Sequence, residues 1–134
     1  MKADAANEAI VDQSKYAKII DMMNERVYEA AINNGQKESH VFYSAYGFDD
    51  DGLPINNLDK VAIRGRFIFV EEPDGYFGGG GNKTYRSKEV VDPTWLECAV
   101  MANEMIVTTN DFHHIFLEGV RIGASGTGHF SMGS

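Results

Sequence analysis

Apolar positions in this chain follow two rhythms, and the change from one to the other marks its elements. Ile10, Ala17, Ile20, Met23, Val27 and Ala31 recur at steps of three, four and seven. That spacing is one face of an α-helix and predicts a long helix from about Asp4 to Asn34. Gly35 is a natural terminator, because glycine takes the left-handed conformation without steric cost. Ser14 offers an interior break, since serine favours capping positions.

From His40 the period shortens. His40 to Phe48 is rich in β-formers and ends at Asp49-Asp50-Asp51-Gly52, a turn composition that Pro54 and Asn56-Asn57 extend. A second strand is expected over Val61–Val70, closed by Pro73-Asp74-Gly75, and a third over Thr84–Val91. Asp92 then reads as a helix cap with Pro93 in the first helical position. The helix runs to about Thr109, with Trp95, Cys98, Ala99, Ala102, Met105 and Ile106 on one apolar face. The broad stripe predicts a buried helix. Asn110-Asp111 ends it, and the last strand is expected over His113–Ile122.

This order predicts a two-layer α+β fold: a long N-terminal helix, a central sheet of about four strands (antiparallel or mixed), and a second buried helix before the last strand. The second helix also has the length of a crossover between parallel neighbours. Residues 1–122 are expected to form a single domain, and 123–134 a Gly/Ser-rich flexible tail.

Strict alternation along the strands places Ile63, Gly65, Phe67 and Phe69, with Ile115, Leu117 and Gly119, on a core-facing side. The opposite side then carries Arg64, Arg66, Ile68 and Val70, with His114, Phe116, Glu118, Val120 and Ile122. A wet sheet face should be polar, and this one is half apolar. Something is therefore expected to cover it: a second subunit, a ligand in a concavity, or the chain's own tail or glycine-rich loop.

Charge and composition narrow the classes. Twenty acidic residues against twelve basic ones give a net charge of -8, a field that opposes binding to nucleic acid. The one cysteine, Cys98, excludes an intramolecular disulfide and suits a reducing, cytoplasmic setting. The N-terminus lacks the apolar stretch of a secretory signal, and the longest apolar-dominated run, around Trp95 to Val107, is too short to cross a bilayer. No membrane partner is expected.

Candidate chemistry is sparse. His113 and His114 point to opposite faces of a strand, and His114 and Glu118 are about 13 Å apart along it. No spacing draws Glu97, Glu104, His40 or His129 to them, so no metal is expected. Arg64 and Arg66 share a face about 6.6 Å apart, close enough to clamp a small anionic ligand or to pair with Glu118. The Gly78–Gly81 run ahead of Lys83-Thr84 resembles a phosphate loop, but Phe77 and Asn82 stand where that pattern needs glycine. Tyr76 and Phe77 are loop contact candidates. Asp49 to Gly52 is not a calcium loop, because Pro54 and Lys60 fall where glycine and glutamate are required. Cys98 reads as a small hydrophobe. Ser125, Thr127 and Ser131 lie in the tail, with no base expected against them. Glu97 and Glu104 lie on one side of the helix about 10 Å apart, as solvated residues do. Neither a cofactor nor a catalytic residue is indicated.

Two functions remain. One is a non-enzymatic homo-oligomeric binding or assembly protein that uses the half-apolar face, with Arg64, Arg66, His114, Phe116 and Glu118 at the interface. The other is a small-molecule-binding protein or small enzyme with a pocket between curved sheet and helix, lined by Arg66, His114 and Glu118.

Overall fold

The computed structural model describes the backbone of residues 2–73 and 83–134 and the side chains of residues 14–73 and 83–134. The contact candidates Tyr76 and Phe77, and the Gly78–Gly81 run, lie outside the described residues. In chain order the elements are α1 (Lys2–Asn33), β1 (Phe42–Tyr43), β2 (Arg66–Phe67), β3 (Val70–Glu71), β4 (Tyr85–Arg86), β5 (Val90–Val91), α2 (Trp95–Thr109), β6 (Phe116–Ile122) and β7 (Gly128–Gly133). The fold is α+β with mixed strand pairing.

Helix α1 buries Met23, Val27 and Ala31 completely, the four-residue stripe its sequence predicts. It ends as Gly35 requires. At φ 89° the glycine turns the chain so that Gly35 N–H donates to Ile32 C=O and Gln36 N–H to Ala31 C=O, satisfying carbonyls the helix leaves open. Helix α2 buries Cys98, Ala99, Met101, Ala102, Met105 and Ile106.

Its cap is not Asp92. Thr94 Oγ1 accepts from Glu97 N–H, and the Glu97 carboxylate accepts in return from Thr94 N–H, a reciprocal capping box. Asp92 is committed elsewhere: at φ 44° its Oδ1 accepts from Gly65 N–H at 2.6 Å, and Pro93 is buried ahead of the cap.

The expected strand over Val61–Val70 is broken at Gly65, whose φ of 128° is not a strand conformation. What remains is β2 and β3, which pair antiparallel with β5 and β4. The expected Thr84–Val91 strand is divided in the same way. Between the two ladders Ile68 and Phe69 face Ser87, Lys88 and Glu89, one residue more. Ser87 fills the irregularity, its Oγ accepting from Phe69 N–H at 2.8 Å and its N–H donating to Phe69 C=O.

The main sheet has the order β1-β6-β7. Strand β1 lies parallel to β6, with α2 in the connection between them, and β7 lies antiparallel to β6. The expected flexible tail is thus corrected: residues 128–133 are a strand. Gly126 at φ 80° and the Gly123 N–H to Thr127 C=O bond turn the chain back. Phe130 then stacks on Phe69 with ring centroids 4.7 Å apart.

A second correction concerns strand faces. Leu117 is opposite Met132, and Gly119 is opposite Ser131, so Glu118 is an extra, bulged residue. A bulge inverts the alternation beyond it. Val120 therefore packs against the core with Leu117, Phe130 and Met132, not on the outer face. Ile122, two residues on, is 55% exposed. Among the described residues no helix is long and apolar enough to cross a membrane.

Candidate functional site

Side chains and one backbone carbonyl occupy outward donors on both edges of the main sheet. Beside β1, Asn103 Oδ1 on α2 accepts from His40 N–H (2.6 Å) and Val41 N–H (3.2 Å), and Asn24 Oδ1 on α1 accepts from Tyr43 N–H (2.8 Å). Beside β7, Glu71 Oε1 accepts from Phe130 N–H at 3.0 Å, and Gly128 N–H donates to Ile68 C=O. Donors satisfied in this way are not open to a foreign strand.

The site residues expected from sequence fall into separate places. Arg66 Nη1 lies 2.7 Å from Glu89 Oε1 on the kinked hairpin, so its carboxylate is Glu89 and not Glu118. Arg64 is exposed. His114 Nδ1 lies 2.8 Å from Asp111 Oδ2. Partial burial works against that carboxylate, but hydrogen bonds from His114 and from His113 N–H hold Asp111 below the usual carboxylate range. Only Phe116 and Glu118 meet. With Ser44, Gly133 and Ser134 they line a shallow hollow of about 170 Å³ on the outer face of the sheet, where Phe116 also packs against Phe42 at 5.2 Å. Arg66 and His114 are not part of it.

The larger concavities lie along α2. One, of about 630 Å³, is enclosed by the end of α1, the strand side of β4 and β5, and α2; Tyr85, Leu96, Val100 and Met101 give it an apolar floor. The other, of about 410 Å³, is bounded by the 36–40 segment and the end of α2, at Val107 and Thr108. Glu104 lines both. Glu97, Val100, Met101, Glu104, Val107 and Thr108 recur at steps of three, one, three, three and one, which is a single helix face. The two hollows therefore follow one another along α2 and share Glu104; together they make up the α2 trough, spanning about 17 Å by helical rise. Val107 is 54% exposed there. The helix is legible in the sequence but this face is not, because two of the trough's walls come from α1 and from the hairpin.

The trough's charges balance. Arg86 and Lys88 on the strand side and Lys37 on the loop side stand against Glu97, Glu104 and Glu38, within a chain of net charge -8. Among the described residues neither Arg86 nor Lys88 has an ion-pair partner.

Ionisable groups in the core are held neutral. Burial, with Glu97 adding to it, pushes the Cys98 thiol up to about 12, and burial raises Tyr43 and Tyr85 as well. A thiol with a raised pKa is protonated at pH 8 and is a poor nucleophile. Cys98 is accordingly expected to resist a disulfide-exchange reagent at pH 8 until urea unfolds the chain. Stoichiometric reaction of the native protein within seconds would contradict this.

One hydroxyl does have a base near it. Thr127 Oγ1 lies 2.9 Å from His129 Nε2, and His129 Nδ1 lies 3.3 Å from Glu71 Oε1. The expectation that no base stands against Thr127 is thereby corrected. The Glu71 oxygen also accepts from Phe130 N–H, so the observed work of this group is to clamp β7 to β3. Residues 71 and 129 are too far apart in sequence for spacing to reveal it.

No protein-family model, no curated protein and no solved structure matches the chain.

Proposed function

We propose that this chain is a non-enzymatic assembly protein that pairs with a second copy of itself through the α2 trough. The observation that carries this reading is the trough's composition: an α2 face that mixes apolar residues with Glu97 and Glu104, beside the basic Arg86–Lys88 strand, neutral as a whole in a strongly acidic chain. Such a surface is complementary to itself. In a two-fold pairing the Arg86–Lys88 strand of one copy faces the Glu97–Glu104 row on α2 of the other, and each copy makes the same contact. The general field of -8 discourages contact elsewhere on the surface but is cancelled locally here.

The outer sheet face fits this role less well once Val120 has moved to the core, and the capped edges disfavour strand addition. The single, buried Cys98 is compatible with a reducing, cytoplasmic setting.

Charge exchange tests the pairing. Arg86→Glu and Glu104→Lys, each alone, are expected to weaken self-association by about tenfold or more, and the double variant to restore it. Light scattering over a concentration series reads the mass. If both single variants associate as the unchanged protein does, the trough is not the interface.

A further inference from the structure

We infer that the Phe48 loop is a second, separate docking surface that takes an arginine-bearing basic segment of a partner protein. Residues 47–55 close on themselves without help. Ile55 N–H donates to Gly47 C=O (2.9 Å) and Asp49 N–H to Leu53 C=O (2.9 Å). Asp49 Oδ1 accepts from both Asp51 N–H and Leu53 N–H at 2.9 Å, and Gly52 makes the turn at φ 78°. A loop fixed in this way loses little entropy on binding.

What it presents is an aromatic ring. Phe48 stacks on Tyr16 of α1 at 6.1 Å and meets Tyr46 edge-on at 5.8 Å. Burial and the neighbouring Tyr16 hydroxyl raise the Tyr46 phenol above its usual range. Phe48 nevertheless remains 56% exposed. Two rings that support a third while leaving it open to solvent form a rigid anchor for a partner.

Charge selects the partner. Asp50 and Asp51 stand exposed at the loop tip, and among the described residues neither carboxylate has an ion-pair or hydrogen-bond partner. An acidic tip beside an open aromatic face repels anionic ligands. It also repels a second copy, which would bring the same carboxylates. A guanidinium satisfies both elements at once, because its plane stacks on the ring while its N–H fork reaches a carboxylate. An ammonium supplies the charge but not the planar fit.

Calorimetric titration with oligo-arginine, oligo-lysine and oligo-glutamate peptides of equal length tests this at fixed ionic strength. Oligo-arginine is expected to bind more tightly than oligo-lysine, and oligo-glutamate not at all. Phe48→Ser, which leaves every charge in place, is expected to weaken oligo-arginine binding by about tenfold. The pair Asp50→Asn and Asp51→Asn is expected to lower affinity and flatten its salt dependence. Arg86→Glu is expected to leave binding unimpaired, which separates this surface from the α2 trough. Equal affinity for Phe48→Ser and the unchanged protein, or equal affinity for the two cationic peptides, would reduce the effect to general charge and overturn the inference. Loss of self-association in Phe48→Ser would overturn it in favour of a second copy.

Discussion

Asn103→Leu is expected to lower the unfolding free energy by about 3 kcal/mol, the larger part of which comes from two stranded backbone donors. Asn103 is completely buried, and its amide is fully used. Its oxygen accepts from His40 and Val41 N–H, and its nitrogen donates to Glu38 C=O at 2.9 Å and to Gln36 Oε1. This side chain ties the segment leading into β1 to α2. Leucine fits the volume but leaves the two N–H groups facing apolar surface, at a cost of about 1–3 kcal/mol for each buried group. Asn103→Asp is expected to be worse, because it adds a buried charge and removes both donors. Urea unfolding should show a lower midpoint at an unchanged slope. A loss below about 0.5 kcal/mol, the range of ordinary surface substitutions, would show that the amide network does not hold β1.

Gly128→Ala is expected to cost about 2 kcal/mol through overpacking alone. The glycine is needed for space here and not for a special backbone angle. A Cβ on it would lie 2.7–2.9 Å from three atoms of the Phe69 ring. That ring cannot yield, being fully buried and stacked within 13° of Phe130. The same change at Gly119, where a Cβ would meet only Ser131 at 3.8 Å, is expected to cost far less. Because the clash is with one ring, a second change should relieve it: Phe69→Leu costs stability alone, but the double variant is expected to be more stable than the two losses added together. Strict additivity in the melting temperatures would place the cause elsewhere.

Much of the fold was legible because helices advertise themselves over many turns. The stripe from Met23 to Ala31 and the terminator Gly35 read directly, and so did the apolar face of α2. The cap of α2 was also written in the chain, as Thr94-Trp95-Leu96-Glu97, but Asp92-Pro93 gave a competing signal two residues earlier. The strands were harder. Pairing turns on single residues such as Gly65 and the bulged Glu118, and strict period-two alternation, blind to an inserted residue, puts Val120 on the wrong side. Strand β7 was hidden by its glycines, one of which is the space that Phe69 occupies. Asn103, a lone polar residue within an apolar helix stripe, was a signal that could have been read. The trough was not readable, because no local pattern connects Arg86 and Lys88 to a face of α2.

The most direct test of self-assembly through the trough is the molar mass of the unchanged protein, measured by light scattering from micromolar to tens of micromolar. A mass that rises toward a multiple of the single chain with concentration, and falls back in Arg86→Glu, is the predicted result. A constant single-chain mass across that range would contradict it.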